Sequence, residues 1–178
     1  MLFRSYLVDD GSEDNSIEII KSVNLRNIQI RLVCLAKNYG HHKAIFTGIR
    51  EMHEVVDYMV IIDSDGEENP KDIVRLIQEI SDSNIDGILT FQKKRSNDLS
   101  SRMLAFISDT FLSLVSDSHF IKGICTLRIM KWHVAMALAS VKDQDPVLGV
   151  AQQKLGLKFA KVEIIKEYKG FKIGRAHV

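Results

Sequence analysis

The sequence predicts an α/β fold, and three observations carry that expectation. Short apolar runs alternate along the chain with segments of helical period. Two of the runs, Tyr6-Leu7-Val8 and Val60-Ile61-Ile62, stop abruptly at acidic turns, as buried strands do when they leave a sheet. The chain has 178 residues, 46% of them hydrophobic and 26% charged, which places it among soluble globular domains. A chain of this size buries roughly 70% of its unfolded surface, so its core needs no disulfide or structural metal.

Taken in order, Tyr6-Leu7-Val8 reads as a buried strand ending at Asp9-Asp10-Gly11-Ser12. A helix should follow, with Ile17, Ile19, Ile20 and Val23 on its apolar side and Ser12 or Asp14 as N-cap. Residues 28–35 alternate apolar Ile28, Ile30 and Leu32 with polar Gln29 and Arg31, the pattern of a half-exposed strand, and residues 43–52 form the next helix. Val60-Ile61-Ile62 is a second buried strand that runs into Asp63-Ser64-Asp65-Gly66-Glu67-Glu68-Asn69-Pro70. Asn69 as N-cap, Pro70 at the first helical position and Asp72 in the first turn start a helix whose buried face is Ile73, Leu76, Ile77 and Ile80. Ile88-Leu89 is a further strand, followed by the basic cluster Lys93-Lys94-Arg95. Residues 100–115 form a longer helix with Met103, Leu104, Ile107, Phe111, Leu114 and Val115 on one broad side; a helix over 147–155 and a strand over 161–165 complete the chain. Only Pro70 and Pro146 interrupt it and no internal repeat is present, so one α/β domain is the economical reading.

Composition excludes several functions. With 24 basic against 23 acidic side chains, electrostatics give no argument for a nucleic-acid partner. Two cysteines, Cys34 and Cys125, are too few for a disulfide scaffold and read as free thiols. No apolar run approaches the ~18 residues of a membrane span. No serine or cysteine nucleophile stands with a recognisable base.

The acidic strand ends are the places to look for chemistry, because ligands of open α/β sheets collect at the carboxyl ends of strands. Asp63 and Asp65 are two apart, so in an extended backbone they point to one side, and a turn at Gly66 can bring Glu67 beside them. Crowded carboxylates repel one another, and a divalent cation relieves the repulsion; oxygen-only ligands select Mg²⁺ or Mn²⁺. The competing reading is a solvated loop that caps the next helix. Asp9-Asp10-Gly11-Ser12 has the same two readings, a contact to ribose and base or a plain turn into the helix.

Val8-Asp9-Asp10-Gly11-Ser12, then Asn38-Tyr39-Gly40 with Ala44 and Gly48, then Asp63-Ser64-Asp65 with Asn69-Pro70 resemble the successive signatures of family 2 glycosyltransferases. The likeness is greatest to the branch of dolichyl-phosphate mannosyltransferase and the bacterial polyprenyl-phosphate sugar transferases, and it extends through residues 126–130 to Leu155-Gly156. The resemblance implies a Rossmann-like GT-A domain with a mostly parallel sheet flanked by helices. It also implies a nucleotide-diphosphate sugar donor (UDP- or GDP-linked), inversion at the anomeric carbon, Mg²⁺ or Mn²⁺, and a polyprenyl phosphate or saccharide acceptor. Asp9, Asp10 and Gly11 would then contact the nucleoside, with Asp63 completing the donor contacts. Asp63, Asp65 and Glu67 would hold the metal, and Arg95, Arg102 and Arg128 the phosphates; Asp65 and Arg128 would be the catalytic pair. Full-length members of this branch act at the inner, cytoplasmic face of a membrane.

This sequence also departs from the pattern. Thr126 stands where bacterial relatives have aspartate, and Lys43 where asparagine or alanine is common. By the resemblance the chain enters at the family's second strand, so the first strand is expected to be missing and residues 1–172 to be a catalytic-domain fragment. Residues 173–178, Ile-Gly-Arg-Ala-His-Val, look like a translated sequencing adapter and are expected to be a non-native tail.

Other features carry plainer readings. His41 and His42 are adjacent, about 100° apart on a helix, and make a poor metal pair. Lys93, Lys94, Arg95 and Arg102 either bind phosphate or an anionic membrane surface or are simply solvated; Phe106 and Phe111 beside them would suit an interfacial helix as well as a core. The rival function is a two-component receiver domain, with Asp9, Asp10 and Asp63 around Mg²⁺. Its scheme has no place for Asn38-Tyr39-Gly40 or for Asp65.

Overall fold

The computed structural model describes residues 3–23, 26–92, 124–144 and 146–165. They form six strands and five helices: β1 (Phe3–Asp9), α1 (Ser16–Ser22), β2 (Ile28–Cys34), α2 (His41–Arg50), β3 (Tyr58–Ile61), α3 (Lys71–Ser81), β4 (Gly87–Phe91), β5 (Ile124–Lys131), α4 (Trp132–Ala139), α5 (Leu148–Lys154) and β6 (Phe159–Glu163). The chain divides into two compact units, Met1–Val56 with Ala135–Gly156 and Asp57–Val134 with Leu157–Val178. The basic cluster at 93–95, the helix expected over 100–115 and the tail at 173–178 lie outside the described residues.

In the first unit β1 and β2 pair in parallel, from Phe3 opposite Ile28 to Asp9 opposite Cys34. The expectation of a buried first strand is corrected here. Residues 5–8 are half-buried and Phe3 is exposed, because β1 has β2 as its one ladder partner among the described residues. The expected apolar side of α1 is likewise not buried; Ile19 is 62% exposed. That helix begins later than predicted, with Asn15 in the cap position and the Asp14 carboxylate accepting the Ser16 N–H at 3.0 Å. Helix α2 packs on β1 through Gly48, where a Cβ would stand 2.8 Å from Val8 Cγ2; only glycine admits this approach. At the end of α2, the Arg50 guanidinium donates to the carbonyls of Ala139 and Val141 and holds that segment to the helix. Glu54 forms ion pairs with Arg4 of β1 and Arg31 of β2.

The second unit holds a four-stranded sheet in the order β3-β5-β4-β6. The α/β class stands, with one departure from a mostly parallel sheet: β5 runs antiparallel to both β3 and β4, while β6 is parallel to β4. Strand β5 is buried on both faces: Leu127 and Ile129 on one, Arg128 and Met130 on the other. Leu127 and Ile129 join Leu76 and Ile80 of α3, Ile88, Cys125 and Ile164 in the core. Burying each such large aliphatic side chain contributes about 1.5 to 3 kcal/mol. The predicted face of α3 is thus the buried one, and Asn69 Oδ1 accepts the Lys71 N–H at 3.0 Å, the capping contact expected at its start. Strand β6 begins two residues earlier than expected. Asp86 fastens the strand ends: its carbonyl accepts the Lys131 N–H, and its carboxylate accepts the Lys158 N–H at 2.7 Å and meets His133 Nε2 at 3.0 Å. The Lys158 hydrogen bond chiefly holds this carboxyl below its ordinary range.

Candidate functional site

At the end of β1 the two aspartates are both engaged by backbone. Asp9 is buried, and its Oδ2 accepts the Ser12 N–H at 3.1 Å, closing the turn. Asp10 reaches across to the loop before α2, where Oδ1 accepts the Tyr39 N–H at 2.7 Å and Oδ2 the Gly40 N–H at 2.9 Å. Hydrogen bonds to an ionised acceptor are the stronger kind, so Asp10 fixes the course of the Asn38-Tyr39-Gly40 loop. Gly11, with φ +76°, lies against the same loop; a Cβ there would come within 2.5 Å of the Lys37 carbonyl carbon. The motif residues at 9–11 and 38–40 are therefore two halves of one interlocked turn. Tyr39 also lines a cavity of about 200 Å³ together with Lys43, Thr47, Arg50 and Asp143.

Beyond β3, Asp63 is half-buried and Asp65 exposed. Residues 64 and 65 form a turn, so the extended geometry that would set Asp63, Asp65 and Glu67 on one side does not hold. Asp65 Oδ1 instead accepts the Glu67 N–H at 2.9 Å. Among the described residues no three His, Cys, Asp or Glu side chains already stand grouped as for a metal ion. The donor chemistry nonetheless fits a hard cation. Mg²⁺ is commonly held by one or two carboxylates and completes its shell with water and substrate phosphates. Asp63 and Asp65 are carboxylates that could serve in this way.

The acid that organises this loop is one that sequence reasoning passed over. Glu68 is 2% exposed. Its Oε1 accepts the Leu127 N–H of β5 at 2.8 Å and its Oε2 the Asp63 N–H at 3.3 Å. Arg128 lies in the same interior, 7% exposed, donating through Nε to the Thr126 carbonyl at 3.1 Å and through Nη2 to the Cys125 carbonyl at 2.9 Å. Burial lowers its pKa to about 10, opposed by the charges of Glu68 and Asp63, so it remains a cation at neutral pH. Arg128, expected from the resemblance to meet phosphate, thus donates to carbonyls of its own strand beside the buried Glu68 carboxylate. Arg95 and Arg102 lie outside the described residues. His41 and His42 are exposed at the start of α2 with their rings in edge contact, and Cys34 and Cys125 are not joined in a disulfide.

Two solved structures share the fold: a 4-diphosphocytidyl-2C-methyl-D-erythritol synthase from Anaerococcus prevotii (TM-score 0.57, 10% identity, 97% of this chain and 92% of that one), and the corresponding cytidylyltransferase from Francisella tularensis (TM-score 0.50, 10% identity, 97% and 94%). They define a mixed α/β fold with helices flanking its sheets. Within that class, the family model for glycosyl transferase family 2 matches residues 1–131, and the chain belongs to this family. It is similar to undecaprenyl-phosphate 4-deoxy-4-formamido-L-arabinose transferases from Pectobacterium atrosepticum (24% identical over 166 residues, 93% of this chain and 50% of the relative) and Yersinia enterocolitica (26% over 145 residues, 81% and 43%). The chain spans about half the length of the curated relatives it matches. The resemblance read from the motifs is borne out, and the receiver alternative finds no support. No helix among the described residues is long and apolar enough to cross a membrane.

Proposed function

We propose that this protein is an inverting sugar transferase that moves a sugar from a nucleotide-diphosphate donor to a polyprenyl phosphate or, alternatively, a cell-surface saccharide. The observation that carries this reading is the Asp63-Ser64-Asp65 turn directly past β3, with Asp65 exposed, inside the stretch that matches the family. The names of the relatives favour the polyprenyl-phosphate acceptor; with a lipid acceptor the work would fall at a membrane surface, and the inner face is part of this proposal.

In this scheme Asp63 and Asp65, with Glu67 drawn in when donor binds, would hold Mg²⁺ or Mn²⁺. The ion would neutralise charge developing on the departing nucleoside diphosphate. The chain's own residues do the rest by placement. The turn at Asp9, Asp10 and Gly11 presents its backbone to the nucleoside, and Arg95 and Arg102 meet the phosphates. Arg128, within reach of the Asp63 and Glu68 charges, adds positive charge for the phosphates. A phosphate acceptor is ionised at neutral pH and needs no dedicated base, so orientation of acceptor against the anomeric carbon is the main demand on the protein.

Isothermal titration of UDP and GDP into the 178-residue chain, with and without Mn²⁺, tests this. One of the two should bind in a Mn²⁺-dependent manner, and Asp65→Asn should weaken that binding. Nucleotide binding indifferent to both Mn²⁺ and Asp65→Asn would overturn the reading.

A further inference from the structure

The Asp63-Ser64-Asp65 turn follows a strand of only four residues, β3, which among the described residues sits at the edge of its sheet. A ligand loop on so short an edge element needs an anchor to hold its carboxylates in one direction. Glu68 is placed to be that anchor. It is the only acidic side chain in the run 63–68 that is buried, and its two oxygens divide between the loop and the sheet. One oxygen takes the N–H of Asp63 itself, and the other takes Leu127 N–H on central strand β5, 59 residues away. On the next residue of β5, Arg128 is buried and charged, so the carboxylate is not left as an uncompensated interior anion.

We infer that Glu68 is a positioning residue: its carboxylate ties the backbone of Asp63 to Leu127 of β5 and so aims the Asp63 and Asp65 carboxylates toward a divalent cation. The inference rests on the metal-binding role proposed for those two aspartates, and it gives the buried acid of this motif a task distinct from ligation. Glu68 touches neither cation nor substrate; it acts through the amide of Asp63.

Amide hydrogen exchange and Mn²⁺-induced line broadening, both read by NMR on the 178-residue chain and its Glu68→Gln variant, test it. Glu68→Gln keeps the size but removes the charge beside Arg128 and sets an NH₂ group against one of the two amides. Loss of a charge-assisted hydrogen bond should accelerate exchange at Asp63 and Leu127 by about tenfold or more, together. Mn²⁺ broadening centred on residues 63–65 should weaken in step. A merely structural brace would speed exchange at both amides and leave the broadening unchanged, which overturns this inference alone. Unchanged exchange at Asp63 and Leu127 also overturns it. Absence of broadening at 63–65 in the unaltered chain overturns the metal reading of the proposed function, and this inference falls with it. Should Glu68→Gln not fold, Glu68→Asp, which keeps the charge but is one methylene short, is measured against the same outcomes.

Discussion

The two acidic loops look alike in sequence and divide their labour differently. After β1, the motif acids are themselves the fasteners: Asp9 closes its turn, and both oxygens of Asp10 hold the loop at Tyr39 and Gly40. After β3 the fastening falls to Glu68, and Asp65, exposed at the turn, spends one oxygen on a local contact with Glu67. A carboxylate that holds a backbone amide on each oxygen, as Asp10 does, is more committed to the fold than the exposed Asp65, which holds one. The difference lies in which acid fastens each loop: the motif aspartates in the first, Glu68 in the second.

Removing the brace should have the largest effect on stability. Glu68→Ala removes one of the two carboxylates acting on buried Arg128 and leaves two amides without this acceptor, which should cost about 3 to 5 kcal/mol. Urea denaturation of the variant beside the unaltered chain measures this, and a loss below about 1 kcal/mol would place Glu68 with ordinary surface acids. Asp10→Asn comes next. It removes the charge and presents an NH₂ to one of two amides, so about 1 to 3 kcal/mol should be lost by the same measurement. If Asp10 were poised only for ligand, that loss would vanish. Asp65→Asn should be the mildest change to the fold, within about 0.5 kcal/mol, because the residue is exposed and contacts only its neighbour. Under the proposed function, sugar transfer should nevertheless fall by on the order of a hundredfold or more, as expected when several kcal/mol of leaving-group stabilisation is withdrawn. Equal stability losses for Asp10→Asn and Asp65→Asn would erase the contrast between the loops.

How far the sequence reveals this follows from the range over which each element is determined. The start of α3 was legible because Asn69, Pro70 and Asp72 act on one another within a single turn, and its buried face because Leu76 and Ile80 repeat at helical spacing. Strand β5 was not, although it is the centre of its sheet. Buried on both sides, it shows no alternation, Thr126 and Arg128 interrupt its apolar run, and it passes straight from Lys131 into α4 with no glycine or proline between. Helix α4 was hidden for the opposite reason: Trp-His-Val-Ala-Met-Ala-Leu-Ala is apolar nearly all round and has no polar face to set its period. At the candidate site, the residues on show were legible and the one that holds them was not. Nothing near Glu68 marks it off from Glu67, since what draws it inward is an amide on β5. Likewise, the same-side geometry expected of Asp63 and Asp65 assumed an extended chain where a turn occurs.

The late position of β5 in the chain also sets the order of events during synthesis. Both β3 and β4 find a ladder partner in β5, and β3 has no other among the described residues. A ribosome adding ~5 to 20 residues per second therefore leaves β3 waiting several seconds after residue 61 has been made before residue 131 can complete the ladder. Through that interval the edge of β3 is open and the Glu68 carboxylate has no Leu127 amide to receive. Long-range pairing of this kind slows folding, because the loop must be closed before any contact repays the entropy lost. The nascent chain is thus most exposed to strand-edge association in the window before β5 emerges, and a holding chaperone would have most to protect there.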